Sequence, residues 1–202
     1  MKKIICLLGS AREEGYSSSI AKHFIKTAKE YGTEEKIYNL YHMNFKGCQG
    51  CWTCHRSTDI CIIQDELTPV LDEVKEADLL ILTSPIYFGD ISAATKAFIE
   101  RTHSFIGPVD KDENLRNDLD NYKGRVSPGK QVVFIMSQGD EEENNADLYP
   151  KNSKFFKWYG YDETHVIRAL RVEDPGYLGK RHNKYLLQAE ELARKIMEAQ
   201  RS

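Results

Sequence analysis

Long apolar runs are missing from this 202-residue sequence, and so is a strong net charge. The longest apolar runs, residues 4–8 and 79–82, are far shorter than the roughly 20 residues that a membrane-spanning helix needs. The formal net charge is only -3, and the basic residues are scattered instead of forming a stripe that would neutralise phosphates. We therefore expect no membrane partner and no nucleic-acid partner.

We also expect no export signal. Lys2 and Lys3 precede an apolar run, but that run stops after five residues at Gly9, and charged residues 12–14 follow. We therefore expect a cytoplasmic protein, in which cysteines serve metal or redox chemistry more often than structural disulfides. Cys6 stands apart from the other four cysteines inside an apolar run, and we expect it to be a buried packing residue.

Several common site motifs are absent. The chain has neither the glycine triplet of the dinucleotide fingerprint nor the Gly-Lys-Ser/Thr of a Walker loop. No Ser-His-Asp order and no pair of carboxylates stands out as a hydrolytic site. His55 and the other histidines are expected to be exposed polar residues, and the acidic stretch 140–147 is expected to be a solvated loop.

Five short apolar runs alternate with stretches of helical periodicity. The runs are residues 4–8, 37–40, 79–83, 132–137 and 166–172. This alternation predicts an α/β fold with a doubly wound, five-stranded parallel sheet and helices on both faces, because parallel strands need crossover connections. We expect residues 1–202 to form one domain with two long loops, a cysteine loop inserted at 47–61 and a polar loop at 104–130 of a length typical of lids or interface arms.

A polar loop follows the first predicted strand and leads into a helix that begins near Ile20. It carries hydroxyls at Ser10, Ser17, Ser18 and Ser19 and a cation at Arg12. Hydroxyls and free N–H groups at a helix start suit a phosphate, which the helix dipole favours further. The alternative is a serine-rich loop that only caps the helix.

A second motif follows the third predicted strand. It reads Ser84-Pro85-Ile86-Tyr87-Phe88-Gly89, with Pro85 expected to stiffen a turn and Tyr87 and Phe88 expected to form an aromatic wall. In open α/β sheets, ligands bind at the carboxyl ends of the strands around the switch point, where the first and third strands adjoin. Both motifs lie at that edge, although aromatic residues beside a strand end also occur as ordinary core.

The cysteine loop reads Cys48-Gln49-Gly50-Cys51-Trp52-Thr53-Cys54, followed six residues later by Cys61. Thiolates at this spacing are normal ligands of iron-sulfur clusters. Three alternatives stay open: haem attachment through Cys51, Cys54 and His55, which requires export; zinc, which prefers two separated cysteine pairs; and cysteines that bind no metal.

The chain resembles the NADPH-dependent FMN reductase and flavodoxin-like superfamily in residues 9–12 with the trailing serines, and in residues 84–89 running into 96–101. With the cysteine loop it resembles the iron-sulfur flavoprotein family. The resemblance implies that FMN binds through its phosphate to Ser10, Arg12, Ser17, Ser18 and Ser19, and through its isoalloxazine to Pro85, Ile86, Tyr87, Phe88 and Gly89. It implies a 4Fe-4S cluster on Cys48, Cys51, Cys54 and Cys61. Ser92, where many relatives carry proline, puts the rigidity of the turn in doubt.

The resemblance also implies a function. We expect an FMN-dependent oxidoreductase or electron-transfer flavoprotein that passes electrons between the cluster and FMN. Its expected partner is a ferredoxin-like electron donor or a small-molecule acceptor. NAD(P)H is a possible transient cofactor. The alternatives are a cluster-free NAD(P)H-dependent FMN or quinone reductase, and a non-enzymatic flavodoxin-like carrier or zinc-stabilised binding module. A homodimer or homotetramer is expected.

Overall fold

The computed structural model describes residues 2–110, 112–115, 118–172 and 180–199. Its strands are β1 (Lys3–Leu8), β2 (Glu34–Asn39), β3 (Leu79–Tyr87), β4 (Asp90–Ile91), β5 (Ile106–Pro108), β6 (Tyr122–Gly124), β7 (Gln131–Ser137) and β8 (Glu163–Ala169). Its helices are α1 (Tyr16–Lys29), α2 (Thr53–Arg56), α3 (Leu67–Glu76), α4 (Ala93–Arg101), α5 (Leu148–Tyr159) and α6 (Lys180–Ala199). No helix among these residues is long and apolar enough to cross a membrane.

Five parallel strands form the main sheet in the order β2-β1-β3-β7-β8, and β4 pairs antiparallel with the end of β3. The chain starts in the middle of the sheet, runs to one edge and then crosses back to build the other half. This is the flavodoxin-like strand order. The expected fold class is therefore confirmed, with β4 as an addition.

Both faces of the sheet are covered, as the continuous apolar strands require. In β1, Ile5 and Leu7 pack in the core that α3, α4 and α5 cover, whereas Ile4, Cys6 and Leu8 pack in the core under α1 and α6. Alternate residues of a strand point to opposite faces, so a parallel strand between two helical layers is apolar throughout. Cys6 is fully buried, as expected.

The strand boundaries differ from the predicted ones where polar residues interrupt the apolar runs on which the prediction was based. Strand β2 begins three residues before the predicted range, because it is an edge strand with exposed residues at its start. Strand β8 spans Glu163–Ala169 instead of 166–172, again because its first residues are half exposed. Strand β3 continues through Pro85 to Tyr87, so the predicted turn at Pro85 is wrong, and the turn lies at Phe88 and Gly89.

The second long loop has structure of its own. A 3₁₀ turn at Thr102–Phe105 leads into β5, and β5 pairs antiparallel with β6 as a two-stranded ribbon. Arg125, just after β6, donates from Nη1 to the carbonyl oxygens of Cys54 and Ser104, both at 3.0 Å. The ribbon is therefore tied to the cysteine segment of residues 47–61.

A buried polar network joins the ends of β1 and β3 to the start of α4. The Gly9 N–H donates to the backbone and side-chain oxygens of Thr83, both at 3.1 Å, and Ser92 Oγ donates to the Gly9 carbonyl at 2.6 Å. Ser92 also caps α4, since its Oγ accepts from the Thr95 N–H at 3.3 Å. A Cβ on Gly9 would lie 1.9 Å from Thr95 Oγ1, so only glycine fits there. Ser92, at the position where many relatives carry proline, thus holds the turn in place through hydrogen bonds.

We predict that Ser92→Ala lowers the free energy of unfolding by about 2 kcal/mol, because it removes a helix cap and leaves the Gly9 carbonyl without its buried donor. Urea unfolding measures the change. Ser153→Ala, in the exposed surface of α5, is the matched control and is expected to change stability by less than about 0.5 kcal/mol. Equal stability of the two variants would show that the network does not hold the loops.

Candidate functional site

Three loops meet at the carboxyl edge of the sheet and line one cavity of about 120 Å³. They follow β1, β3 and β7, which lie side by side at the switch point of the strand order. The lining residues are Ser10, Arg12 and Gly15 of the first loop with Tyr16 and Ser17 at the start of α1, Pro85, Ile86 and Tyr87 at the end of β3, Ser137 at the end of β7 with Gln138 and Gly139 after it, and Val172 after β8.

The first loop is shaped to receive an anion. Ser10 Oγ accepts the Arg12 N–H at 3.1 Å, and the Arg12 carbonyl accepts the Gly15 N–H at 3.1 Å, so the loop curls over the start of α1. The N-cap of α1 is Gly15, which offers no side-chain acceptor, and the first turn holds no acidic residue. The positive end of the helix dipole and its N–H groups therefore face the cavity without a competing carboxylate.

The predicted phosphate residues divide into two groups. Ser10, Arg12 and Ser17 line the cavity. Ser18 is fully buried and donates its hydroxyl to the Arg12 carbonyl at 3.3 Å, so it holds the loop in shape. The Ser19 N–H donates to the Gly15 carbonyl at 2.8 Å, and its side chain is not part of the lining.

The second loop ends in a tight, strained hairpin turn. Phe88 and Gly89 have φ angles of 49° and 77°, as the two central residues of a type I′ turn require. A positive φ is unfavourable for phenylalanine, and its ring is fully exposed. Pro85, Ile86 and Tyr87 line the cavity, whereas Phe88 and Gly89 are not among its lining residues.

The third loop, residues 137–139, was missed in the sequence. Gln138 is buried and donates from Nε2 to the carbonyl oxygens of Glu141 at 2.7 Å and Asn144 at 3.0 Å. It accepts from Arg168 Nη2 at 3.2 Å, which fixes its amide at the cavity wall. The available clue was position, since residues 137–139 directly follow a predicted strand at the same sheet edge. The exposed residues 140–147 are a solvated loop, as expected.

The four clustered cysteines lie together in the cysteine segment. Cys48 and Cys51 are exposed, Cys61 is half-buried and Cys54 is buried. Burial raises the pKa of the Cys54 thiol to about 11, and the nearby charges of Cys61, Cys51 and Cys48 act in the same direction. Negative charge on the other three sulfurs therefore disfavours the Cys54 thiolate, and a positive group bound beside it would favour that thiolate.

Hydrogen-bond donors and cations surround these sulfurs. The Gly50 N–H donates to Cys48 Sγ at 3.4 Å, and hydrogen bonds from the side chain and backbone of Thr53 lower the pKa of Cys51. The charge of Arg125 acts to lower the pKa of Cys54, although burial outweighs it. This donor set fits an anionic, thiolate-ligated metal group, because such groups are stabilised by hydrogen bonds to sulfur and by nearby positive charge.

Arg101, at the end of α4, closes the neck of the cysteine segment, by which we mean the place where the chain enters it at Lys46 and leaves it at Ile63. Its side chain is fully buried and forms an ion pair with Asp65 at 2.6 Å. It also donates to the carbonyls of Lys46 at 2.9 Å and Ile63 at 3.2 Å, which flank the segment on either side. Burial opposes ionisation of Asp65, but the bonds from Arg101 and the N–H groups of Lys46 and Leu67 hold its pKa below the usual range.

His55 of the cysteine segment is buried in a stack with His103, contrary to expectation. His55 is buried and its ring stacks on His103 at 4.3 Å between centroids, with Tyr122 also in contact. Its Nε2 lies 3.0 Å from the His103 carbonyl. Burial lowers the pKa of both rings, so they are neutral at pH 7. The prediction that His55 is exposed was wrong, because the ribbon of β5 and β6 covers it.

Known proteins resemble this chain in sequence and in fold. The family model of NADPH-dependent FMN reductases matches residues 2–146. Curated relatives named iron-sulfur flavoproteins occur in Methanocaldococcus jannaschii, 34% identical over 100 residues that cover 50% of this chain and 51% of the relative, and in Methanosarcina thermophila, 29% identical over 100 residues that cover 50% and 52%. The chain spans about half the length of the curated relatives it matches.

Solved structures share the fold at low identity. An FMN-dependent NADH-azoreductase of Bacillus anthracis, crystallised with FMN, superposes with a TM-score of 0.72 at 15% identity and covers 98% of this chain and 100% of that one. An NAD(P)H:quinone oxidoreductase of Methanothermobacter marburgensis gives a TM-score of 0.72 at 15% identity, covering 96% and 98%. These likenesses show the fold alone.

We predict that Asp65→Asn lowers the free energy of unfolding by about 3 kcal/mol, because it leaves the buried Arg101 guanidinium without its counter-charge. Urea unfolding of the metal-free protein measures the loss. Asp72→Asn breaks an exposed pair with Lys75 and serves as the control, with an expected change below about 0.5 kcal/mol. Similar small changes in both variants would mean that the ion pair does not hold the neck.

Proposed function

The chain belongs to the NADPH-dependent FMN reductase family, and on that premise we propose that it is an FMN-dependent oxidoreductase of the iron-sulfur flavoprotein type. One observation carries the proposal: the anion-receptive start of α1 and the strand end Pro85–Tyr87 line the same cavity. Bound FMN supplies the hydride and electron chemistry, and the protein holds, orients and shields it.

The residues of the cavity suit two parts of FMN, its phosphate and its isoalloxazine ring. The phosphate would be held by Ser10, Arg12 and Ser17 with the N–H groups at the start of α1. Ser18 would support it by fixing the loop, and Ser19 by its place in the first turn of the helix. The isoalloxazine would contact Pro85, Ile86 and Tyr87, with Phe88 and Gly89 at the rim and Gln138 as a polar group on the opposite wall.

We predict that the double variant Arg12→Ala and Ser17→Ala weakens FMN binding by about 1 to 3 kcal/mol for each charge-assisted hydrogen bond that is lost, which is at least about a tenfold rise in Kd. Flavin fluorescence titration of the apoprotein measures it. Ser153→Ala in α5 is the control, because Ser153 is not among the residues that line the cavity. Unchanged affinity in the double variant would remove the phosphate assignment.

We further propose that Cys48, Cys51, Cys54 and Cys61 hold a 4Fe-4S cluster. The support comes from the iron-sulfur flavoprotein name of the curated relatives, the thiolate spacing, and the donors and cations around the sulfurs. The group, when bound, supplies one-electron transfer. The cysteine segment supplies four ligands and screens the inner one, Cys54, from water.

The electron partners of such a site are of two kinds. We propose a ferredoxin-like carrier or a small-molecule acceptor on the one-electron side, and transient NAD(P)H as the two-electron donor. A cluster-free FMN or quinone reductase is the competing function, and zinc on the four cysteines is the competing metal. Assays for iron, sulfide, zinc and flavin on anaerobically purified protein separate these cases.

We predict that anaerobically reconstituted protein contains about four irons and four sulfides per chain, and that Cys51→Ala abolishes this content while FMN stays bound. The flavin cavity and the cysteine segment share no lining residue, so the two cofactors are expected to separate. Cys6→Ala, a change in the core far from solvent, is the control and should retain iron. Equal iron in the Cys51→Ala variant, or none in the parent, would refute the cluster.

Two further expectations stay predictions. A homodimer or homotetramer is proposed because the cysteine segment and the ribbon of β5 and β6 enlarge one side of the fold, and sedimentation velocity of the FMN-loaded protein measures the state. The cytoplasmic location expected from the sequence is checked by fractionation of cells.

A further inference from the structure

We infer that Cys54, His55 and His103 form a binding site for a single zinc ion. The cysteine sulfur and one ring nitrogen from each histidine lie within 4.8 Å of one another. Two of the three residues are buried and the third is half-buried. The site differs from the four-cysteine zinc site considered above, because it takes only one of those cysteines and adds two imidazoles.

His55 carries a buried ring nitrogen that the fold does not use. The residue is only 4% exposed, and its Nδ1 has no hydrogen-bond partner in the part of the chain that the structure describes. Its Nε2 lies 3.0 Å from the His103 carbonyl oxygen, and because a carbonyl only accepts, Nε2 carries the hydrogen. In the neutral ring, Nδ1 therefore offers a free lone pair. A buried acceptor without a partner costs free energy, and a metal ion would satisfy it.

The surroundings of the two rings resemble those of histidines in metal sites. Such histidines usually donate their other ring N–H to a carbonyl or a carboxylate, which fixes the tautomer and the ring orientation. The bond from His55 to the His103 carbonyl has this form. Trp52, held at an unfavourable φ of 60°, meets both rings edge-on at 5.3 and 5.4 Å between centroids. The rings are therefore restrained before an ion binds, which lowers the cost of ordering them.

Two segments supply the three ligands. Cys54 and His55 lie in α2, and His103 lies in the 3₁₀ turn at Thr102–Phe105. Arg125 joins these segments by its bonds to the carbonyls of Cys54 and Ser104. A tetrahedral zinc ion lies about 2.0 to 2.1 Å from nitrogen and about 2.3 Å from sulfur, so its ligand atoms are about 3 to 4 Å apart. The spread of up to 4.8 Å therefore contracts by about 1 Å on binding, and rotation of the half-buried His103 side chain can supply this.

The donor set selects zinc over harder cations. One thiolate and two imidazoles suit Zn²⁺, whereas Mg²⁺ and Ca²⁺ prefer oxygen ligands. The Cys54 thiol would lose its proton to solvent on binding, because the thiolate is the ligand. The nearby cation Arg125 is already paired with Asp59 at 2.9 Å, which limits its repulsion of the ion. Three protein ligands leave the fourth tetrahedral position to water.

Cys54 is also one of the four ligands proposed for the 4Fe-4S cluster. Its sulfur cannot serve both groups, so zinc in this site and the cluster exclude each other. This consequence rests on the proposed function, whereas the binding of zinc by Cys54, His55 and His103 does not.

Zinc K-edge X-ray absorption tests the inference on FMN-loaded, iron-free protein that carries one equivalent of zinc under reducing, anaerobic conditions. The expected ligand shell contains one sulfur and two imidazole nitrogens, with one further oxygen from water. A shell of four sulfurs, or a shell without sulfur, would overturn the inference.

Variants compared by competition with a chromophoric zinc chelator identify the ligands. His103→Ala is expected to raise the Kd for zinc at least about tenfold, because the loss of a group that merely orients a ligand already costs about that much. His42→Ala removes an exposed histidine near Glu13 and is the matched control, with an unchanged Kd. Circular dichroism and FMN content check that each variant folds. Equal affinity in the His103→Ala and His42→Ala variants would contradict the site.

Cys51→Ala separates this inference from the proposed function. The variant is expected to bind zinc with the Kd of the parent, although the same change is expected to abolish its iron. Iron content of the reconstituted parent decides the cluster, and zinc binding by Cys51→Ala decides the present site, so either can fail alone. Loss of zinc binding in folded Cys51→Ala protein would assign the metal to the four cysteines and overturn the inference.

Discussion

The fully buried guanidinium of Arg101 is the contact on which the arrangement of the two sites depends. It neutralises Asp65 and binds the backbone on both sides of the cysteine segment, so a fourteen-residue stretch from Cys48 to Cys61 is closed at its neck. The other end of the same helix begins at Ser92, which clamps the loops after β1 and β3. Helix α4 has nine residues and is about 13 Å long. One rigid element therefore sets the spacing between the cavity proposed for FMN and the cysteines.

The two sites differ in whether backbone groups or side chains supply most of the binding groups. At the flavin cavity, the start of α1 offers N–H groups and a dipole, and the side chains of Ser10 and Gln138 complete the walls. At the cysteine segment, the four cysteine side chains are the proposed ligands; the Gly50 N–H bonds to Cys48, and Arg125 binds the Cys54 carbonyl. Both sites are held by buried polar contacts that water does not replace, because unpaired polar groups in a dry interior cost free energy.

Much of this was predictable from the sequence because it depends on local pattern. The strands, their parallel order and the two loops at the sheet edge follow from short apolar runs separated by helices, and Cys6 from its apolar neighbours. The remainder depends on contacts between residues distant in the chain. His55 stacks on His103, and Gln138 joins a cavity built mainly by residues more than 50 positions away. The strain at Phe88 and Trp52 is likewise visible only in the backbone.

The central claim is that one chain holds both a two-electron and a one-electron carrier, and an anaerobic reductive titration tests it most directly. Protein saturated with FMN and reconstituted with iron and sulfide would be titrated with dithionite while its visible absorption is followed. The account predicts uptake of about three electrons per chain, two for the flavin and one for the cluster. Uptake of about two electrons, with a spectrum of flavin alone, would contradict it.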